Sequence, residues 1–149
     1  MGLFSKNKSD EKSDFKTTTK FGVIKIDEER KLFKASGKVF KFEDLISFEL
    51  VEDDQKIVEG GVSAGRAILG GSFFGNTGAG IGGLSKIKKT DKEFCTNMQI
   101  IYTVKNNKQA TRTIPFIFAK SDKSKVVYNQ AKVNAKATLE GFNYIISCN

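Results

Sequence analysis

Ten of the fourteen glycines in this chain lie within residues 60–83, and the cluster divides the sequence into two parts. On either side of it, short runs alternate between apolar and polar residues, which is typical of strands with one buried face. Glycine weakens a strand interior and offers no side chain to pack, so the cluster interrupts this pattern. The sequence therefore predicts two groups of strands separated by a Gly-rich insert at 60–85.

The first group of predicted strands occupies residues 21–58. Turn signals at 27–30 and at Ser36-Gly37 separate its runs, and Phe40 and Phe42 share a face. Residues 46–50 alternate with period two, which indicates a half-buried strand. The connections are too short for crossovers, so we expect antiparallel pairing.

The second group of predicted strands forms a hairpin after the insert. Residues 106–108 read as its turn, and Pro115 places the second strand at an edge or at a bulge because proline cannot donate to a ladder. The alternating apolar residues of its two strands are Met98, Ile100, Tyr102 and Val104, followed by Ile114, Phe116 and Phe118.

A C-terminal helix is the clearest single element. Ser121 or Asp122 is expected as its N-cap, and Gly141 should weaken the helix and bend or fray it there. Lysines on the opposite side are typical of a solvated face. The apolar residues that recur at spacings of three or four are Tyr128, Ala131, Ala135, Leu139, Phe142 and Ile146.

These elements predict an α+β fold: an antiparallel, strongly curved sheet or partial barrel with one C-terminal helix and a Gly-rich insert. The length of 149 residues fits one domain with a substantial core. Residues 1–20 are polar and Lys-rich, which predicts a disordered arm, and 21–149 should form the single domain. Without a secretory signal we expect a cytoplasmic protein, with peripheral membrane attachment as the alternative.

The chain contains no histidine and only two cysteines, Cys95 and Cys148. It therefore lacks the usual general base and the commonest metal ligand, and two distant thiols make no zinc ligand set. We expect no metal, no cofactor and no enzymatic activity, with Cys95 buried as a small apolar residue. The acids that crowd together could supply carboxylates only if they converged, and such a run is usually a solvated turn: Glu43, Asp44, Glu52, Asp53 and Asp54.

The Gly-rich insert allows three interpretations. Residues 78–83 fit the spacing of a dinucleotide-binding turn, but the stretch after them is too short for the required helix, so nucleotide binding is disfavoured. Glycines four apart, such as Gly71 and Gly75, fit a glycine zipper in which helices approach closely. In the third interpretation the glycines permit an ordered, tightly packed excursion over the sheet.

The chain resembles the pleckstrin-homology-like domains of bacteria and phages, and more closely an uncharacterised bacterial and phage family that carries a Gly-rich insert in such a domain. The resemblance covers about residues 21–146 and implies no activity that can be transferred. Some relatives add a zinc-ribbon segment, which has no cysteines to match it here. The matching residues are 65–71, Gly75, Gly78-Ala79 and Gly82-Gly83, then Lys86, Lys88, Lys89 and Cys95-Thr96.

A compact domain without evident catalytic groups predicts a non-catalytic binding module. The leading hypothesis is a protein-binding module, such as a phage or mobile-element accessory factor acting on a host protein, or one that self-associates. The alternative is a membrane-surface module that uses the Gly-rich segment and its adjacent lysines. The predicted partner-binding residues are Ile68, Leu69, Phe73, Phe74, Lys86, Lys88 and Lys89.

Nucleic-acid binding through the basic C-terminal half is a third hypothesis. Residues 84–149 carry twelve bases against four acids, and the whole chain has a net charge of +8. Such a charge attracts acidic partners in general. The chain has only three arginines and no interleaving of aromatic with basic residues, so this hypothesis ranks below the other two.

Overall fold

The computed structural model of the protein describes residues 14–62 and 93–148. A first antiparallel sheet has the order β1-β2-β3-β4. Its strands are β1 (Thr19–Phe21), β2 (Ile24–Asp27), β3 (Leu32–Ala35) and β4 (Lys38–Lys41). The predicted tight turn at Ser36-Gly37 is confirmed, and both residues have positive φ there, at 52° and 76°. The strand β1 begins inside the range predicted as an arm, and the Thr18 N–H donates to the Ile26 carbonyl at 2.8 Å.

A second sheet follows after a short 3-10 turn at Phe42–Asp44. Phe42 lies in this turn and not in β4, and its side chain is buried. The remaining strands are β5 (Leu45–Glu52), β6 (Gln55–Gly61), β7 (Phe94–Cys95), β8 (Met98–Val104), β9 (Thr111–Ile117) and β10 (Ser121–Asp122). The second sheet has the order β6-β5-β8-β9, and β7 pairs with β10.

The connection from β6 to β8 is a crossover. Both strands pair antiparallel to β5, on its two sides, so they run parallel to each other. β6 ends with Gly61 opposite Ser47, whereas β8 starts with Met98 opposite Glu52, at the far end of β5. The two ends of the connection are therefore separated by roughly the length of β6, about 20 Å. The Gly-rich insert belongs to this crossover and is not the loop of a hairpin.

The helix α1 (Val126–Ser147) packs across both sheets. Its six predicted apolar residues are all buried, as the spacing predicts. The Phe142 ring lies 5.3 Å from the Phe48 ring, 5.3 Å from the Tyr102 ring and 6.2 Å from the Phe33 ring, measured between centroids. Helix and sheets thus share one core, which confirms the predicted α+β class.

The helix runs through Gly141 to Ser147, so the predicted fraying at Gly141 is wrong, and a bend there stays a prediction. The glycine instead allows the close approach of β1, since a Cβ at position 141 would lie 2.6 Å from the Phe21 Cβ. The predicted N-cap is also wrong. Ser121 and Asp122 form β10, and the N-cap position is Lys125, which makes no side-chain capping bond.

Two irregularities in strand register expose residues that the sequence pattern predicted to face the core. The register between β5 and β8 shifts between Leu45 and Ser47, and Ile46 is 39% exposed. In β9, Ile117 pairs with Met98 while Pro115 pairs with Gln99, so Phe116 is an extra residue. This confirms the prediction of an edge or bulge at Pro115.

The described strands form separate sheets and not one continuous ring. The strong curvature and partial barrel expected from the sequence stay predictions.

Candidate binding surfaces at the two ends of the helix

The predicted partner-binding residues all lie between β6 and β7, outside the residues that the structure describes: Ile68, Leu69, Phe73, Phe74, Lys86, Lys88 and Lys89. Of the predicted insert at 60–85, the structure describes Gly60, Gly61 and Val62. Where the insert returns, at Glu93, the chain enters β7 beside the N-terminal end of α1. This end carries a surface that the sequence did not predict.

Four exposed apolar side chains belong to the segments that meet here, and we call this place the apolar end. Phe94 is 40% exposed, Phe118 83%, Val126 79% and Val127 64%. Pairing of β7 with β10 sets Phe94 opposite Asp122, four residues before Val126. Phe118 directly follows Ile117, which pairs with the first residue of β8. Local pairing therefore brings the insert's return, the end of β9 and the start of α1 together.

Phe118 reaches the surface because of the bulge in β9. The sequence pattern placed Ile114, Phe116 and Phe118 on the inner face, but the extra residue shifts the alternation so that Ile114 and Ile117 are buried. Phe118 then points away from the core. Pro115 was the sequence feature that indicated the bulge, because proline in a strand marks a bulge as well as an edge.

Two lysines belong to the same segments. The Lys120 Nζ lies 4.4 Å from the centre of the Phe94 ring, within the range of a cation–π contact. Lys125 is exposed at the start of α1, whose first turn contains no acidic residue. The Asp122 carboxylate accepts hydrogen bonds from the Ser124 N–H at 2.8 Å and the Ser124 hydroxyl at 2.7 Å, which lower its pKa. Glu93 is an exposed acid at this end, as is Asp54, which follows Asp53 in the turn bonded to Thr96 and Asn97.

A buried carboxylate holds the start of α1 in place beside the apolar end. Glu52 is 1% exposed, and its Oε1 accepts a hydrogen bond from the Tyr128 hydroxyl at 2.7 Å and lies 3.6 Å from the Lys123 Nζ. Burial raises the pKa of Tyr128, and the bond to Glu52 raises it further. Burial lowers the pKa of Lys132, and Glu52 offsets part of this effect. The start of α1 is thereby tied to the end of β5.

The other crowded acids do not converge with Glu52. Asp53 Oδ1 accepts bonds from the Thr96 N–H, the Thr96 hydroxyl and the Asn97 N–H at 2.8–3.0 Å, which ties the turn after β5 to the chain after the insert. Within residues 14–62 and 93–148, no three potential ligands form a group that could hold a metal ion. The interpretation of the acidic run as a solvated turn was therefore wrong for Glu52, which is buried.

Cys95 is buried in this region, as predicted, and carries a free thiol. Burial raises its pKa to about 12, and the nearby carboxylates Glu52 and Asp53 contribute to the rise. Since only the thiolate is an effective nucleophile, this cysteine is unreactive at neutral pH. Its role is to fill space.

A cleft of about 770 Å³ lies at the opposite end of α1. Beneath it the fully buried Asp27 carboxylate accepts bonds from the Lys16 N–H, the Arg30 N–H and the Arg30 guanidinium. Three bases and two acids line the cleft, so its charge does not strongly favour either anionic or cationic ligands. Its described lining consists of Asp14, Arg30, Lys31, Leu32, Lys41, Phe42, Glu43 and Cys148.

Among the described residues, no helix is both long and apolar enough to cross a membrane. No curated protein and no solved structure matches the chain. One family does match, described as the glycine zipper containing PH domain, over residues 7–118. The match includes the strands β1 to β9 and ends before β10 and α1. PH-like domains are generally non-catalytic binding modules. On this match, the chain belongs to the family of glycine zipper containing PH domains.

Proposed function

We propose that the protein is a non-catalytic binding module whose Gly-rich segment, residues 60–85, mediates association with a protein partner or with a second copy of the chain. The family description pairs a PH domain with a glycine zipper, which supports this assignment of roles. Small residues four apart let two helices approach closely, whether within one chain or between chains.

The observation that carries the proposal is the length of the crossover. A connection between parallel strands needs about a dozen residues. Here 36 residues, 62–97, join β6 to β8. The topology therefore accounts for only part of the connection, and the excess contains most of the glycines together with Phe73 and Phe74. Apolar residues in such an excess are seldom present without a surface to cover.

The residues that form the core support the assignment of folding and association to different parts of the chain. Phe142 belongs to α1 and the rings around it come from β3, β5 and β8, all of which lie outside residues 62–92. We therefore expect folding to depend mainly on these elements and association to depend mainly on the insert.

A deletion tests the proposal. Residues 62–84 are removed and Gly61 is joined to Ser85 by a short Gly/Ser link. The retained residues 85–92 can span about 26 Å when extended, which is enough for the gap of about 20 Å left by the crossover. Circular dichroism should show a folded domain with a cooperative thermal transition. Light scattering should show that an associated full-length chain becomes monomeric, or pull-down should show that a retained partner is lost.

A second variant keeps the proposal testable if the deletion variant does not fold. Gly71→Leu with Gly75→Leu keeps the chain length and removes one pair of small residues. It should weaken association without lowering the melting temperature. Association that persists in both variants, or a full-length chain that is monomeric and retains no partner, would contradict the proposal. If both variants unfold, the insert is structural and the third interpretation of the glycines is right.

A further inference from the structure

We infer that the guanidinium of Arg112, beside the turn between β8 and β9, is a binding site for a single carboxylate, such as the side chain of an acidic residue in a protein partner. Arg112 lies in β9, outside the segment 60–85, so the inference goes beyond the proposed function and does not depend on it. Three features of the site point to this ligand: a buried charge, an unpaired donor and a turn without acids.

Arg112 is a buried cation that no carboxylate balances within the described parts of the chain. It is 8% exposed, and none of the four ion pairs among residues 14–62 and 93–148 includes it. The other arginine that the structure describes, Arg30, has a side chain 40% exposed, yet its Nη1 lies 3.1 Å from the Asp27 Oδ2. Burying a charge is costly unless an opposite charge accompanies it. The state of Arg112 therefore indicates an anion supplied from elsewhere.

One edge of the Arg112 guanidinium has half of its hydrogen bonds. The Nη2 donates to the Asn107 side-chain oxygen at 3.2 Å, whereas the buried Nε has no partner among the described residues. The Phe40 ring, whose centre lies 5.3 Å from the guanidinium carbon, covers a face of the group and leaves this edge free of it. The N–H groups of Nε and Nη2 are parallel, and a carboxylate accepts such a pair with its two oxygens.

The Asn107 side chain places a neutral oxygen where one oxygen of a carboxylate would lie. It also accepts a bond from the Gln109 N–H at 3.1 Å, so one amide oxygen serves two donors. Neither distance is as short as is usual for a bond between charged groups. Asn107 lies in a turn whose neighbouring residues Asn106 and Lys108 are exposed. Rotation of this one side chain frees Nη2 beside the unpaired Nε, so entry of a ligand requires no movement of a strand.

The charges around this turn favour an anion with one negative charge. Residues 102–112 include Lys105, Lys108 and Arg112 and no acid. Asp44 meets the turn through its carbonyl, which accepts a bond from the Lys105 N–H at 2.8 Å, and its carboxylate is in none of the ion pairs of the described residues. One carboxylate neutralises the one buried charge, whereas a dianion would leave an excess negative charge beside the core.

Titration of the ¹⁵N-labelled full-length chain with sodium acetate, followed by NMR of the arginine Nε–H signals, tests the inference. The chain has only three arginines, so these signals are few. At neutral pH, with the ionic strength held constant by sodium chloride, the Arg112 signal should shift and saturate. Half-saturation is expected at about 1–10 mM, because acetate has few atoms with which to bind. The Arg30 signal should stay in place, since its guanidinium already has a carboxylate partner.

Two substitutions should change acetate binding in opposite directions. Arg112→Met removes the donors and should abolish the rise in melting temperature that acetate gives the unmodified chain. Asn107→Ala removes the competing oxygen and should tighten acetate binding about fivefold, as expected when a ligand no longer displaces an internal hydrogen bond. Lys25→Gln is the control, because it removes an exposed positive charge from β2 and should leave acetate binding unchanged.

Capped tripeptides with Asp or Asn between two glycines identify the source of the carboxylate. A shift of the Arg112 signal with the Asp peptide and none with the Asn peptide assigns the site to an acidic side chain of a protein partner. A shift with acetate and with neither peptide restricts the site to small carboxylic acids.

An Arg112 signal that does not move with acetate would overturn the inference. So would an equal shift with sodium chloride alone, an undiminished acetate effect in Arg112→Met, or weaker acetate binding in Asn107→Ala. Tighter binding of sulfate than of acetate would refute the assignment to a singly charged carboxylate. If Arg112→Met does not fold, the titrations of the unmodified chain and of Asn107→Ala decide the question. Failure of this test leaves the association test of the Gly-rich segment unaffected, so the two proposals are judged separately.

Discussion

Phe142 and Phe118 are the same side chain in opposite situations. Phe142 is fully buried among the rings of Phe33, Phe48 and Tyr102, whereas Phe118 is 83% exposed. Burial of an aromatic side chain is a large part of what stabilises a domain of this size, and an exposed one contributes little to folding. The comparison distinguishes apolar residues that complete the core from apolar residues that the fold leaves exposed.

The largest expected effect belongs to the buried member of the pair. Phe142→Ala should lower the free energy of unfolding by about 3–5 kcal/mol, because it removes the ring at the centre of the core and leaves a cavity. Chemical denaturation followed by circular dichroism measures this. A variant with an unchanged denaturation midpoint would show that the helix does not complete the core.

The hydroxyls of Tyr128 and Tyr144 provide a second comparison. Each donates to a glutamate oxygen at 2.7 Å, but Glu52 is buried whereas the bond from Tyr144 to Glu28 is exposed. Tyr128→Phe should cost about 1–3 kcal/mol of unfolding free energy, since a buried carboxylate loses a donor.

Tyr144→Phe is the matched control and should cost less than about 1 kcal/mol, because water can replace the lost bond. Both values come from denaturation curves recorded under the same conditions. Equal costs for the two substitutions would mean that Glu52 is hydrated in solution and does not anchor the helix.

The buried carboxylate at the other end of the fold should make stability depend on pH. Burial alone would raise the pKa of Asp27, but the N–H groups of Lys16 and Arg30 and the Arg30 guanidinium outweigh it, so the pKa is lowered. A lowered folded-state pKa stabilises the fold above the pKa of an unfolded aspartate, and this stabilisation is lost as the pH falls through the folded pKa.

The difference in melting temperature between the unmodified chain and Asp27→Asn should therefore be largest near neutral pH. It should shrink in the acid range below the ordinary pKa of an aspartate. Thermal unfolding across that range measures it. A difference that stays constant with pH would contradict the bonding described for Asp27.

The parts of this fold that could be predicted from sequence are those fixed by local periodicity. The alternation in β8 and the stripe of α1 are read from residues two to four positions apart, and both are confirmed. The burial of Glu52 could not be predicted in this way, because its partner Tyr128 is 76 positions away. The helix start was misplaced because Asp122, a good N-cap in isolation, instead accepts bonds from Ser124.

The exposed apolar residues were harder to predict than the core. Phe118 was assigned to the inner face because a strict period of two does not anticipate the extra residue at Phe116. Pro115 indicates an irregularity in β9 but does not indicate which residues that irregularity exposes. The seven residues proposed from sequence as the partner site lie outside the described residues, so their assignment stays a prediction.

The smallest expected effect is the most direct test of the separation between core residues and exposed apolar residues. Phe118→Ala should change the free energy of unfolding by no more than about 0.5 kcal/mol, as is usual for exposed positions. The measurement is a denaturant titration of this variant beside the unmodified chain and Phe142→Ala. The account predicts that the Phe118→Ala curve coincides with that of the unmodified chain while Phe142→Ala is strongly shifted. A loss of stability at Phe118 comparable to that at Phe142 would show that the apolar end is part of the folding core.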